Sequence, residues 1–223
     1  AEMLCHRAED LAPGVICSIL LVEDGRVLRT LAAPSLPQIY SAKIDGIKSG
    51  PTAGSCGTAV YRKTEVVVTD IGTNPLWDSF RMHAQPHGLA ACWSTPILNQ
   101  SGQVIATFAF YFREPRGPSP LEREIVATCV HLCALAIEHE RIRERNFRLA
   151  YFDVLTGLAN RGRFNQLLSD AINDEKPFGL ILLDIDHLKS INDTIGHAAG
   201  DRLIATVAAR LSSVNECLVP CRL

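Results

Sequence analysis

The chain has 223 residues, 47% hydrophobic and 21% charged, close to ordinary globular usage. That mix excludes a disordered or low-complexity chain. With 22 basic and 24 acidic residues the net charge is −2, which gives no global electrostatic reason to bind nucleic acid or anionic lipid. No segment reaches the roughly 18 consecutive apolar residues of a membrane helix. No charged start leads into an apolar core, so no signal peptide is read. The opening Ala1-Glu-Met-Leu-Cys5 reads as a piece excised from a longer protein.

Residues 15–33 predict a hairpin with Asp24-Gly25 at its turn, where both residues tolerate positive φ. A Pro/Gly-rich stretch follows from 34 to 57, and Thr58-Ala-Val-Tyr61 borders a short helix. Residues 65–69 predict a buried strand ended by Asp70. Asn74-Pro75 starts a helix carrying Leu76, Trp77, Phe80 and Met82, which Pro86 and Gly88 stop. Residues 90–98 and 103–112 predict a second hairpin around Asn99-Gln-Ser-Gly102. The order hairpin, helix, strand, helix, hairpin predicts an antiparallel α+β domain.

Ser119, Pro120 and Glu122 then predict a capped helix running to about Ala150. Its apolar stripe is read as Leu121, Ile125, Cys129, Leu132, Leu135 and Ile142, and its second half turns charged after Ile137. Such a projecting amphipathic helix predicts pairing with its twin in a homodimer through residues 119–150.

The eight cysteines lie at 5, 17, 56, 92, 129, 133, 217 and 221 with no C-x-x-C. They are read as buried hydrophobes of a reducing compartment, hence a cytoplasmic protein.

A second segment begins at Tyr151. Residues 169–176 read as a helix end and loop, 178–186 as a strand buried on both faces, and 201–211 as a helix. Residues 217–223 read as the start of another strand. Two long strings carry chemistry here: Asp153-Val-Leu-Thr-Gly-Leu-Ala-Asn-Arg161, and the run from Leu183 to Asp201. Alternation along a strand sends Asp184 and Asp186 to opposite faces, so one faces a site, and hard carboxylate oxygens suit Mg²⁺. The loop His187-Leu188-Lys189 offers N–H groups and a cation to a polyphosphate. Asn192 and Asp201 suit a base edge.

These strings resemble the GGDEF domain of diguanylate cyclases over residues 151–223. The D-x-L-T-G-L-x-N-R string matches at every fixed position. The D-I-D-x-F-K-x-x-N-D…G-H-x-x-G-D string matches except for Leu188 in place of Phe. The resemblance implies condensation of two GTP molecules to cyclic di-GMP with loss of pyrophosphate. It implies that Asp184 and the Ile185 carbonyl bind Mg²⁺, that His187, Leu188 and Lys189 meet phosphates, and that Asn192 and Asp201 hold guanine. The family's name motif follows a C-R-hydrophobic string, here Cys221-Arg-Leu223, where the sequence stops. This implies a domain truncated just before its hairpin and inactive by itself. The family's R-x-x-D inhibition site would fall at 215–218, where neither Arg nor Asp is in place, so feedback inhibition through it is not expected.

Residues 1–140 resemble a GAF domain through Gly54-Ser-Cys-Gly-Thr-Ala59, Val66-Val-Val-Thr-Asp70, Pro75-Leu-Trp77 and Cys92-Trp-Ser-Thr-Pro-Ile97. The expected fold is therefore α+β: a GAF sheet flanked by helices, joined by the long helix to a truncated α/β GGDEF segment. Such domains hold small molecules, tetrapyrroles or nothing between sheet and helices, and no N-K-F-D-E-type signature for cyclic nucleotides is apparent. The pocket candidates are Cys56, Trp77, His83, His87, Cys92, Trp93 and Ser94. The leading functional reading is a GAF sensor controlling a cyclase. The alternatives are a degenerate GGDEF domain regulating a downstream cyclic di-GMP phosphodiesterase, a GAF-type free methionine sulfoxide reductase using Cys56 and Cys92, and a dimerisation scaffold with an empty pocket.

Overall fold

The computed structural model describes residues 1–174, 177–214 and 218–223, which fall into two compact units, Ala1–His139 and Glu140–Leu223. The first unit is built on a five-stranded antiparallel sheet of order β2-β1-β5-β4-β3. Its strands are β1 (Val15–Glu23), β2 (Val27–Ala32), β3 (Val66–Val68), β4 (Ala91–Leu98) and β5 (Val104–Phe112). Asp24 and Gly25 turn the first hairpin at φ +48° and +68°, the left-handed pair its tight connection needs. β1 and β5 are buried along nearly their whole length, because helices cover both faces of the sheet.

One face carries α1 (Glu2–Leu11) and α5 (Pro120–Tyr151) over Cys17, Ile19, Trp93, Phe108 and Phe110. The other carries α2 (Gln38–Ile44) and α3 (Gly54–Arg62) over Leu20, Cys92, Ala109 and Tyr111. A one-residue step along a strand changes core, so alternation alone decides which layer each strand residue joins.

Four readings need correction in this unit. α1 was not read from the sequence, yet Cys5 and Ala8 on its inner face are buried. α2 forms inside the Pro/Gly-rich stretch, because Tyr40 and Ile44 anchor four residues apart on one helical face. The helix expected from Asn74 is broken into a 3₁₀ turn (Pro75–Trp77), α4 (Arg81–Ala84) and a second 3₁₀ turn (Gln85–His87). Within it Asn74 accepts from the Leu76 amide, and Met82 points outward.

The fourth correction concerns α5. The capping box forms as read: the Ser119 amide donates to Glu122 Oε2 at 2.6 Å and the Glu122 amide to Ser119 Oγ at 3.3 Å. The side buried on the sheet is Glu122, Ile125, Val126, Cys129 and Cys133, whereas Leu121, Leu132, Leu135 and Ile142 are exposed. The apolar residues of α5 thus make two adjacent stripes, not one.

The second unit holds α6 (Arg161–Asn173), α7 (Leu188–Ile195) and α8 (His197–Ser212). The strand expected over 178–186 does not form, and Phe178 and Leu180, Ile181, Leu182 and Leu183 lie exposed. A strand needs ladder partners, and no described segment pairs with this one. Asp184 and Asp186 are therefore not set on opposite sheet faces. The strand expected at 217–223 reduces, over its described residues 218–223, to a single parallel bridge between Ala159 and Cys221. Cys217, Glu175 and Lys176 lie outside the described residues, as do Asn215 and Glu216 of the expected inhibition string.

Candidate functional site

The pocket side of the first unit is organised by Gly54-Ser-Cys-Gly57. Gly54 has φ +64°, and a Cβ at Gly57 would come within 2.6 Å of the Ala53 Cβ. Gly57 thus lets α3 start tight against the loop of Lys48, Ser49 and Ala53, and Ser55, Cys56 and Thr58 on that first stretch are all buried. Trp77 Nε1 donates to Ser55 Oγ at 3.1 Å, and Ser55 Oγ donates to the Cys92 carbonyl at 3.3 Å. Cys56 Sγ lies 4.0 Å from Tyr111 Oη, and the Tyr111 ring meets Tyr40 edge-on at 6.0 Å.

Leu20, Tyr40, Cys56, Trp77, Phe80 and Tyr111 help line a cavity of about 20 Å³. That is room for about one water-sized molecule.

Of the sequence candidates, Cys56 and Trp77 line this cavity, and Cys92 and Ser94 lie on the same sheet face beneath α3. Trp93, expected with them, is on the opposite face. Its Nε1 donates to Glu65 Oε2 at 2.9 Å, and Arg123 stacks over its ring. The reason is the strand period of two, which separates position 93 from 92 and 94. His83 is exposed and does not line the cavity. His87 touches it only indirectly, its ring 6.4 Å from that of Tyr40.

The sequence reading missed Tyr40, Ser55, Thr107 and Tyr111. Thr107, Ala109 and Tyr111 alternate along β5 toward this face, a period-two signal hidden inside a continuous apolar run. Three buried hydroxyls there, Ser18, Ser94 and Thr107, have no hydrogen-bond partner. Ser18 and Ser94 flank Ala109 on either side in the ladder.

Burial pushes the Tyr40, Cys92 and Tyr111 groups well above their usual values. Cys56 goes the other way, down to about 7. The Cys92 thiol leads, burial opposes, and the polar surroundings that include the Tyr111 hydroxyl add to the downward pull.

In the second unit the Asp153–Arg161 string makes a turn. Asp153 Oδ1 accepts from the Thr156 amide at 2.9 Å and its hydroxyl at 2.7 Å, and Gly157 takes φ +69°. Asn160 caps α6 by accepting from the Arg163 amide at 3.0 Å and donates to the Ala150 carbonyl at 2.9 Å. His187, at φ +59°, starts α7, so Leu188 and Lys189 stand on that helix's first turn. Gly196, at φ +98°, separates α7 from α8.

Asn192 packs against Gly200, and a Cβ there would overlap its amide oxygen. That Oδ1 is buried without a partner, while Asp201 is exposed. The Asp184 carboxylate is exposed, and its Oδ1 accepts from the Ile185 amide at 3.0 Å. One carboxylate and one carbonyl suit Mg²⁺, which keeps waters and phosphate oxygens in its remaining positions. Among the described residues no group of three or more His, Cys, Asp or Glu side chains could hold a metal ion.

A sheet with helices on both faces and a pocket under α3 define the first unit, and the two strings mark the second. The chain belongs to the GAF domain family over residues 1–138, and residues 150–217 match the model described as diguanylate cyclase, GGDEF domain. It is 32% identical over 201 residues to the methyl sulfide methyltransferase-associated sensor of Methanosarcina acetivorans, covering 88% of this chain and 19% of that protein. It is 40% identical over 86 residues to the diguanylate cyclase VdcA of Vibrio cholerae, covering 37% of this chain and 25% of that protein. The chain thus spans about a fifth to a quarter of these relatives. The GAF domain of a phosphoenolpyruvate-protein phosphotransferase from Coxiella burnetii superposes with a TM-score of 0.51 at 20% identity, over 65% of this chain and 83% of that one, a likeness of fold.

Proposed function

We propose that this chain is the sensory part of a cyclic di-GMP signalling protein, in which the GAF domain (1–140) governs a diguanylate cyclase whose first part is 151–223. The observation that carries this reading is the pair of strings at Asp153–Arg161 and Leu183–Asp201 directly after a 32-residue helix. Asp184 and the Ile185 carbonyl would hold Mg²⁺, which would neutralise charge on the GTP phosphates. His187, Leu188 and Lys189 would meet those phosphates, and Asn192 and Asp201 the guanine edge. The unpartnered Asn192 Oδ1 supports that assignment, since a buried acceptor is stabilised by an N–H donor.

The chain by itself is expected to be inactive. Among the described residues no strand pairs with the segment carrying Asp184, and catalysis of phosphoryl transfer rests on position. The exposed stripe of Leu121, Leu132, Leu135 and Ile142 on α5 supports a homodimer. It continues at Leu149, and a second copy in parallel would bring opposite charges together at Glu138 and Arg143. A GTP-consuming module with unpaired thiols fits the cytoplasm. Among the described residues no helix is long and apolar enough to cross a membrane. The methionine sulfoxide reductase alternative is disfavoured because such an enzyme would not need the GGDEF strings that follow α5 here.

The test is GTP turnover with Mg²⁺ on this chain and on a chain extended through the rest of the second domain. Cyclic di-GMP from the extended chain alone supports the reading. Turnover by neither shifts it to the degenerate domain that regulates a phosphodiesterase.

A further inference from the structure

We propose that a cleft at one edge of the first unit, between Asp70 and Arg113, binds a free α-amino acid, with the ligand carboxylate on Arg113 and its ammonium on Asp70. Asp70, Gly72, Gln85, Gly88, Leu89 and Arg113 help line this cleft, whose volume is about 320 Å³. That volume lies within the range of small-molecule sites, about 300–1,000 Å³. The cavity beneath α3, at about 20 Å³, has room for about one water.

The ladder sets the spacing of the two charges. The Ile71 amide donates to the Ala90 carbonyl and the Ala90 amide to the Phe112 carbonyl, each at 2.8 Å. Asp70 and Arg113 are the chain neighbours of Ile71 and Phe112, so the start of β4 runs between them. Two strand spacings put their backbones roughly 10 Å apart.

Neither charge is neutralised by the protein. Among the described residues neither Asp70 nor Arg113 takes part in an ion pair. The hydrogen-bond partners of Asp70 are uncharged: the Gly72 amide on Oδ1 at 2.7 Å and the Thr73 hydroxyl on Oδ2 at 2.8 Å. These bonds fix the carboxylate and leave it further lone pairs. Arg113 Nη1 donates to the His87 carbonyl at 3.4 Å, which leaves its remaining donors for a ligand. Two glycines keep the cleft clear. A Cβ at Gly88 would come within 3.2 Å of Arg113 Nη1, and one at Gly72 within 3.0 Å of Asp70 Oδ1 and 3.6 Å of Gln85 Nε2.

Opposite charges lining one cleft without pairing to each other select a zwitterion. A guanidinium binds a carboxylate through two parallel N–H donors, and an ammonium offers three donors to Asp70. A ligand carrying only a carboxylate would bring like charge toward Asp70, and one carrying only an amine would bring it toward Arg113. Leu89 and Ala90 supply apolar surface for the ligand side chain.

The test uses this chain, with the twenty common L-amino acids added singly at about 10 mM in a thermal melt, since a ligand of the folded state raises the melting temperature. At least one is expected to raise it saturably. The matching acid without the amine and the matching amine without the carboxylate should each bind at least about tenfold more weakly. Amide shifts in nuclear magnetic resonance should centre on Gly72, Gly88 and Ala90. Among the described residues the Arg113 side chain hydrogen-bonds only the His87 carbonyl, so Arg113→Gln keeps the fold; it should weaken binding at least about tenfold, and Arg113→Lys should restore part of it. The mapping on the unaltered chain needs no variant. No rise from any of the twenty, equal binding of the acid without its amine, shifts centred on Cys56 and Trp77, or full affinity in Arg113→Gln overturns the proposal. Amino-acid binding is read on this chain and GTP turnover on the extended one, so either can fail without the other.

Discussion

Arg222 Nη1 donates to Asp153 Oδ1 at 2.8 Å across 69 positions of sequence. The Arg222 amide also donates to the Ala159 carbonyl at 2.8 Å, beside the Ala159–Cys221 bridge. The Asp153–Arg161 string and Cys221-Arg-Leu223, read separately in the sequence, are thus one structural device in the second unit. Asp153→Ala should destabilise that unit by about 2 kcal/mol and Arg222→Ala by about 1 kcal/mol, with a double mutant less than additive. Hydrogen exchange at the Thr156 and Gly157 amides reads this locally. Burial works to raise the Asp153 carboxyl, but the Thr156 and Arg222 hydrogen bonds outweigh it and leave it below the usual value. Its contribution is complete above the unfolded value near about 3.9 and is lost as pH falls through the lower folded value.

Glu122 is the acid of the α5 cap. Arg116, the leading cause, holds it below the ordinary glutamate range through contacts at 2.7 and 2.9 Å, burial opposes, and the Ser119 amide assists. Glu122→Gln should cost about 1–2 kcal/mol in a denaturant melt near neutral pH. The folded value lies below the unfolded one, so the loss should shrink as pH drops below about 4.3. A cost that stays constant through that range would mean that charge has no part in the cap.

Ser55 bridges two elements, accepting from Trp77 and donating to the Cys92 carbonyl. Ser55→Ala leaves the Trp77 N–H buried and unpaired, for a loss of about 1–3 kcal/mol. The fluorescence of Trp77 reports it, and Trp77→Phe in the same background should recover part of the loss.

Gly200→Ala places a methyl where the Asn192 amide packs. The expected cost is about 1–3 kcal/mol of local stability in α7 and α8, with weakened GTP binding if Asn192 holds guanine. Unchanged nucleotide affinity in a correctly folded extended protein would remove Asn192 from that role.

Leu132→Glu with Leu135→Glu puts charge on the exposed stripe of α5 while leaving its buried side intact. Sedimentation equilibrium should move from dimer to monomer with an unaltered GAF fold. A monomeric parent protein at working concentrations would dispose of the dimer.

Local signals were legible where short-range chemistry decides. Asp24-Gly25 marked its hairpin because only left-handed turn residues fit the strand twist, and Ser119-Pro-Leu-Glu122 marked the start of α5 because the capping box lies within four residues. Cys56 and Trp77 were placed near the cavity from their strings. Trp93 was misplaced, although the alternation that separates it from Cys92 was already in the sequence. Tyr40 escaped because a seven-residue helix among prolines and glycines leaves a weak periodic signal.

What the sequence determined by itself was the identity of both domains, the hairpins, and the cap and length of α5, because turns, caps and periodicity are local properties. Only the tertiary structure decided which side of α5 is covered, that 178–186 forms no strand, that Arg222 closes on Asp153, and that the Ser94 and Thr107 hydroxyls are buried without a hydrogen-bond partner. Each depends on a partner distant in the chain, and a strand, an ion pair or a buried donor takes its energy from that partner rather than from its neighbours in sequence.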